Sequence, residues 1–236
     1  MESISSKATI RHIITEAQAV WDQQGAAAFV TMLHDALFKK KVRFPLLEYA
    51  AKEIAAAIPE VAQIAVTDRI IELREMGGQV VAGMILQLRL PRHFKQSVDK
   101  ACDYIRFGNE WYVCDIIGER VLGYALLTQP DKTIPLLKKL AVHEDKWIVR
   151  TIGVATHYAV KKGLDPVFVE PVFGILLSLA GTTDFHTKKG IGWGAKTVAR
   201  FHPDIIARYA PDIASAVTRP WFRTKVSIGL NRNRKK

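Results

Sequence analysis

The sequence has little of what would tie a fold together by covalent or metal chemistry. It carries two cysteines, Cys102 and Cys114. They do not suggest a disulfide framework and lack metal-site spacing, so both are expected as reduced thiols. No His-Glu-x-x-His pattern occurs, and the seven histidines are scattered; His34, His157 and His202 are expected at core edges or on the surface. No metal and no organic cofactor is expected. No apolar run approaches the roughly 18 residues that a membrane span needs. The opening Met-Glu-Ser-Ile-Ser-Ser-Lys lacks the apolar segment of a signal peptide, so a cytoplasmic setting is expected. No strand–Asn-Gly–strand pattern is present, which removes the clearest hairpin signal.

Acid is missing from one place in particular. Between Arg219 and Lys236 there is no Asp or Glu, while Arg219, Arg223, Lys225, Arg232, Arg234, Lys235 and Lys236 supply seven of the eleven excess positive charges. A solvated end and an electrostatic attraction to nucleic acid are both compatible with such a run. Trp221 and Phe222 favour docking of its earlier part. The expected organisation is a single array over residues 1–218 followed by a basic, partly disordered tail over 219–236.

What is abundant is helical pattern. Residues 46–57 have high helix propensity just after Pro45, and 111–127, 146–162 and 187–201 space apolar residues by three and four. Residues 131–142 and 167–180 fit intervening helices. The stretch from Gly78 to Leu88 is rich in β-formers, yet its length also suits a buried helix. Asn109, Asp145 and Asp184 each precede a helix with an aromatic nearby, which reads as a repeated N-cap. Helix pairs at this spacing, slightly below the usual 40–47 residues, predict an all-α solenoid of HEAT-like antiparallel pairs with a concave basic face. A compact helical bundle is the other arrangement open to the pattern.

Three constellations stand out. On the helix opening at Trp111, the residues Val113, Ile117, Val121 and Tyr124 form the core stripe, while Trp111 and Asp115 share another, one turn apart. Trp111 then either covers a helix end beside a salt-bridged Asp115 or walls a site that Asp115 charges. Asp145-Lys-Trp147-Ile-Val-Arg150 places a second Trp three residues before an Arg. That Arg is suited to an ion pair with Asp115 or Glu119, or to a phosphate contact. Lys188-Lys189-Gly-Ile-Gly-Trp193-Gly-Ala-Lys196 resembles a phosphate loop only superficially, because no strand precedes it. Its glycines fit a helix at a close approach, of a neighbouring helix or of a ligand backbone.

In this order and spacing the motifs resemble the AlkD-type DNA alkylation repair glycosylases, a HEAT-like repeat family. The match is good over about 105–210 and looser around Val42-Arg-Phe-Pro45. The resemblance implies hydrolysis of the N-glycosidic bond of cationic alkylpurines, such as 3-methyladenine and 7-methylguanine, in duplex DNA, by a monomer. It implies Asp115 as the catalytic carboxylate, Trp111 and Trp193 flanking the damaged nucleotide, and Arg150 on the DNA backbone. Trp147, Lys188, Lys189 and Lys196 are further DNA-contact candidates, and the protein would be nucleoid-associated, as in bacteria, when bound. The sequence departs from the family at Met32, where a Tyr is usual, and at Lys196, where an Arg is common. The competing expectations are a non-catalytic solenoid that binds distorted or branched DNA, and a protein-binding scaffold whose charge is incidental.

Overall fold

The computed structural model describes residues 3–233, with side chains as far as Arg232. Most of the described chain is helical, and the only strands among the described residues form a two-residue parallel bridge, β1 (Ser3–Ile4) with β2 (Lys41–Val42). The chain separates into two compact units, Met1–Tyr104 and Ile105–Lys236, where the sequence suggested one array over 1–218 and a tail.

The first unit contains α1 (Lys7–Leu33), α2 (Phe44–Ala57), α3 (Gln63–Glu72), α4 (Met76–Arg89) and most of α5 (Phe94–Gly108). Pro45 sits in the first turn of α2, where its missing N–H has no helical partner to lose. The ambiguous stretch after Gly78 is the buried helix α4, with Val80, Val81, Ile85 and Leu86 fully enclosed. Helix α1 is broken at Gly25, whose φ of 79° lies in the left-handed region. Two polar clusters tie these helices together: Arg89 donates to the Glu60 carbonyl and to Gln63 and Gln96 side chains, and Tyr104 and Lys100 both reach Asp68.

The second unit holds α6 (Trp111–Gly118), a π-helical turn (Glu119–Gly123), α7 (Tyr124–Thr128), α8 (Pro130–Leu140), α9 (Lys146–Lys161), α10 (Pro166–Ser178), α11 (Phe185–Phe201), α12 (Pro203–Arg208), α13 (Ala210–Ala214) and α14 (Pro220–Asn233). Contacts between alternate helices rise together in residue number. Asp115 meets Arg150, Gly118 meets Thr151 and Val154, and Gly123 meets Tyr158. Arg150 meets Gly190, and His157 meets Trp193 and Thr197. Gly192 meets Lys225, and Lys196 and Ala199 meet Gly229. The segments starting at Trp111, Lys146, Phe185 and Pro220 therefore run side by side in one direction, with α8, α10 and α12 as the returning members of each pair. That is the helical-repeat arrangement expected, in which each pair buries its apolar face on the next.

The basic C-terminal segment is the fourth repeat helix of this stack. Phe222 is fully buried on α14 and Val226 nearly so, and the backbone N–H of Arg219 donates to the Ala180 carbonyl. Trp221 donates its indole N–H to the Thr182 carbonyl. Apolar burial thus outweighs charge repulsion over 220–233, and that part of the expected tail is folded. The remainder of it, Arg234, Lys235 and Lys236, lies outside the described residues. Asp145 and Asp184 cap α9 and α11 as expected. Asn109 does not cap α6: it stands at φ 50°, after α5, and Glu110 occupies the cap position.

Close approach explains the glycines of α11. A Cβ at Gly153 would collide with the Gly190 carbonyl, and one at Gly190 with the Arg150 carbonyl and Cγ. The backbones of α9 and α11 touch there, so the neighbouring-helix reading accounts for these positions. Gly153→Ala is expected to lower stability by roughly 3 kcal/mol, since backbone atoms must move to admit the methyl. Gly174→Ala on α10, whose Cβ would meet nothing, is expected to raise it by about 0.5 kcal/mol. Thermal denaturation of the two variants measures the difference.

Candidate functional site

The site candidates lie on successive turns of the parallel helices. Trp111 opens α6 with 54% of its surface exposed, its ring edge-on to Tyr112. One turn later on the same stripe comes Asp115, half-buried, and beyond it Gly118 and Leu122, both buried. Asp115 therefore sits where the α6 face passes from solvent into the packing against α9.

Arg150 approaches it from α9. Its Nε donates to Asp115 Oδ1 at 3.0 Å and its Nη2 to Oδ2 at 2.9 Å, and Nη1 donates to the His186 carbonyl at 3.2 Å. The arginine side chain is 8% exposed and the aspartate side chain 18%. A guanidinium buried to this extent needs a carboxylate and satisfied N–H groups, and the forked geometry supplies both. Of the two roles open to Arg150 in the sequence, the ion pair with Asp115 is the one formed here. Each carboxylate oxygen spends one acceptor direction on the pair. One further direction per oxygen remains on the side that is exposed.

Trp147 is 4% exposed. Its indole N–H donates to Asn109 Oδ1 at 2.7 Å and its ring lies 4.3 Å from that of His186. A side chain enclosed in this way braces Arg150, three residues on, and leaves almost no face for the DNA contact assigned to it from sequence. Asn109, taken as a cap in the sequence, is the acceptor for this brace.

Trp193 is half-buried and stacks on His157, with ring centres 4.0 Å apart and planes at 25°. His157 lies on the same stripe of α9 as Arg150, about two turns or 10 Å along the axis. The path from Asp115 to Trp193 thus runs through Arg150 and along one stripe of α9. On α11 the stripe carrying Trp193 also holds Phe185, Lys189, Lys196 and Arg200; Lys189 Nζ stands 5.0 Å from the centre of the Phe185 ring. Lys188 belongs to the next stripe, towards α14, and is half-buried. Met32, in the first unit, is half-buried on α1.

Titration of the neighbours follows from burial. The Cys114 thiol, bonded to the Trp147 carbonyl and Thr151, is pushed up to about 12 by burial, which leaves it an inert core thiol. His157 is pushed down to about 4 by burial, with Lys161 and Lys196 adding repulsion. Thr197 donates its single hydroxyl proton to the Trp193 carbonyl, so towards His157 Nδ1 it accepts. Nδ1 therefore carries the proton, and the ring is neutral at pH 7. Sequence reasoning missed His157, although its place seven residues after Arg150 on one helix was the available signal.

Two outcomes are expected. In a double-mutant cycle on Asp115→Asn and Arg150→Met, denaturant unfolding should give a coupling of about 1–3 kcal/mol, each single change leaving a poorly partnered polar group. For His157, the folded pKa lies below the ordinary one. Its contribution to stability is complete above about pH 6.5 and is lost as pH falls towards about 4. The melting temperature of the wild type should fall more over that interval than that of His157→Gln.

No described helix is long and apolar enough to cross a membrane. No curated protein and no solved structure gives a match to this chain. A family model does: residues 38–223 match that of the DNA alkylation repair enzymes. The matched span takes in most of the first unit together with the Asp115–Arg150 pair, Trp193 and the start of α14. The chain belongs to the DNA alkylation repair enzyme family.

Proposed function

We propose that the protein is a DNA glycosylase that hydrolyses the N-glycosidic bond of cationic alkylated purines, 3-methyladenine and 7-methylguanine among them, in duplex DNA, as a monomer and without a metal or organic cofactor. The observation that carries this reading is Asp115: a carboxylate held at two points by a buried arginine, partly open to solvent, one turn from a half-exposed tryptophan.

The chemistry suits such a group. An N3- or N7-alkylated purine is already cationic, so it leaves readily with the electron pair of the C1′–N9 glycosidic bond and becomes neutral. Positive charge then develops on the deoxyribose. The free acceptor directions of Asp115 stabilise it and orient a water whose oxygen bonds to C1′, the proton passing to the carboxylate or to solvent. Because Arg150 fixes the carboxylate beforehand, little reorganisation is left for the transition state. Trp111 and Trp193 offer indole faces to the developing cation. Lys188, Lys189 and Lys196 are the phosphate contacts in this scheme, while Arg150 and Trp147 act mainly by holding Asp115 in place.

One observation favours a second reading. Both oxygens of Asp115 are already engaged by Arg150, as in a purely structural pair, and a non-catalytic protein that binds distorted or branched DNA would have the same face. The two part company in a base-release assay on methylated duplex DNA. Release of 3-methyladenine or 7-methylguanine is expected from the wild type, with a rate loss of order 10²–10³ for Asp115→Asn. Release that is indifferent to Asp115→Asn removes the assigned role. DNA affinity without release establishes the second reading.

A further inference from the structure

Two turns along α9 from Arg150, the second unit encloses a cavity of about 310 Å³ between α9, α11 and α14. Its polar lining is cationic on every side: Lys161 from α9, Lys196 and Arg200 from α11, and Arg232 from α14, around the stacked rings of His157 and Trp193. No carboxylate lines it, and among the described residues none of the four cations forms an ion pair. Arg200 Nε is buried with no hydrogen-bond partner among those residues. Repulsion inside the cluster shows in Lys196, whose ammonium is driven below its ordinary pKa by burial and by Arg232 and Lys225.

Four cations with no counter-charge raise the free energy of the folded chain, and the helices that carry them are held together by packing elsewhere. A bound anion removes that repulsion and supplies acceptors to the unsatisfied guanidinium. His157, neutral with its proton on Nδ1, adds no fifth charge at pH 7. Phosphate, with several acceptor oxygens and up to two negative charges, fits both the volume and the donor set. A carboxylate ligand would meet fewer of the donors.

We propose that this cavity is a phosphate subsite, separate from the Asp115–Arg150 pair, that takes one phosphate group between α9, α11 and α14. The phosphate can belong to a DNA backbone, to a strand end, or to the free ion. Binding requires none of the glycosidic chemistry, so the subsite can stand if that reading fails.

The test compares the full-length wild type with Lys161→Gln/Arg232→Gln, two exposed positions whose neutralisation does not disturb the core, and with Lys138→Gln/Lys139→Gln as a control of equal charge loss on α8. At low ionic strength, inorganic phosphate at tenfold its half-effect concentration should raise the wild-type melting temperature by roughly 3–6 °C over chloride of equal ionic strength. The control should keep that rise. The cavity variant should lose most of it, and without phosphate it should melt above the wild type because repulsion is relieved. An equal response to chloride, or a cavity variant that keeps the phosphate response, overturns the proposal. DNA then identifies the source. If the phosphate is internal, the cavity variant lowers the slope of log affinity against log salt by about one on an intact duplex with 5′-hydroxyl ends. If it is terminal, the loss appears only on a nicked duplex bearing a 5′-phosphate. No change with either assigns the subsite to the free ion.

Discussion

Between α9 and α11 the helix backbones are in contact, and the position of Arg150 depends on it. Gly190 has no Cβ where one would strike the Arg150 carbonyl and Cγ. Its absence lets the arginine stem cross the surface of α11 and turn back to α6. The same approach brings the His186 carbonyl within reach of Nη1. A side chain at Gly190 would displace the guanidinium, and with it the only described cation bonded to Asp115. The candidate site is therefore set by three helices at once, although the charged pair itself spans two.

The tryptophans extend the same logic to the spacing of the stack. Trp147 bonds to Asn109 thirty-eight residues earlier, and Trp221 bonds to the Thr182 carbonyl thirty-nine residues earlier. Each indole stands near the start of its repeat helix and reaches into the turn before the previous one. A large, mostly apolar side chain with one N–H can both fill the gap and satisfy a polar loop group. This gives two of the four tryptophans of the second unit a structural duty, and leaves Trp111 and Trp193 as the ones there with surface to offer a ligand.

Local patterns were legible in the sequence because they depend on near neighbours. The three- and four-residue spacing placed the helices, Pro45 marked the start of α2, and Asp145 and Asp184 cap as their side chains dictate. The helix-pair repeat was visible from these caps as far as α11. It was lost at α14 because Pro220 opens that helix instead of an acid, and the charge of the segment drew attention away from Phe222 and Val226. The π-helical turn Glu119–Gly123 left no local trace. It falls where Gly118 packs on Thr151 and Val154 and Gly123 on Tyr158, and such contacts are properties of the partner helix. At the site, the Asp115–Arg150 pairing could be framed as an alternative, but choosing it required knowing that α6 and α9 run in parallel with Trp147 already enclosed.

Charge is distributed across the second unit in a way that follows from its construction. Parallel neighbours bring equivalent stripes together, so a cation at one turn of α9 meets cations at the corresponding turns of α11 and α14. Near Arg150 the stack answers this with Asp115 and with a backbone carbonyl, and the group is neutral overall. Near His157 it answers with nothing acidic, and the cations remain uncompensated around a ring stack. A stack built for stability alone would gain by placing a Glu at Lys196, one turn from Arg200. The apolar packing of Phe222, Val226, Ile191 and Val198 holds the helices together despite the repulsion. The net charge is therefore free to serve attraction to a polyanion, strongest where the protein itself leaves it unanswered.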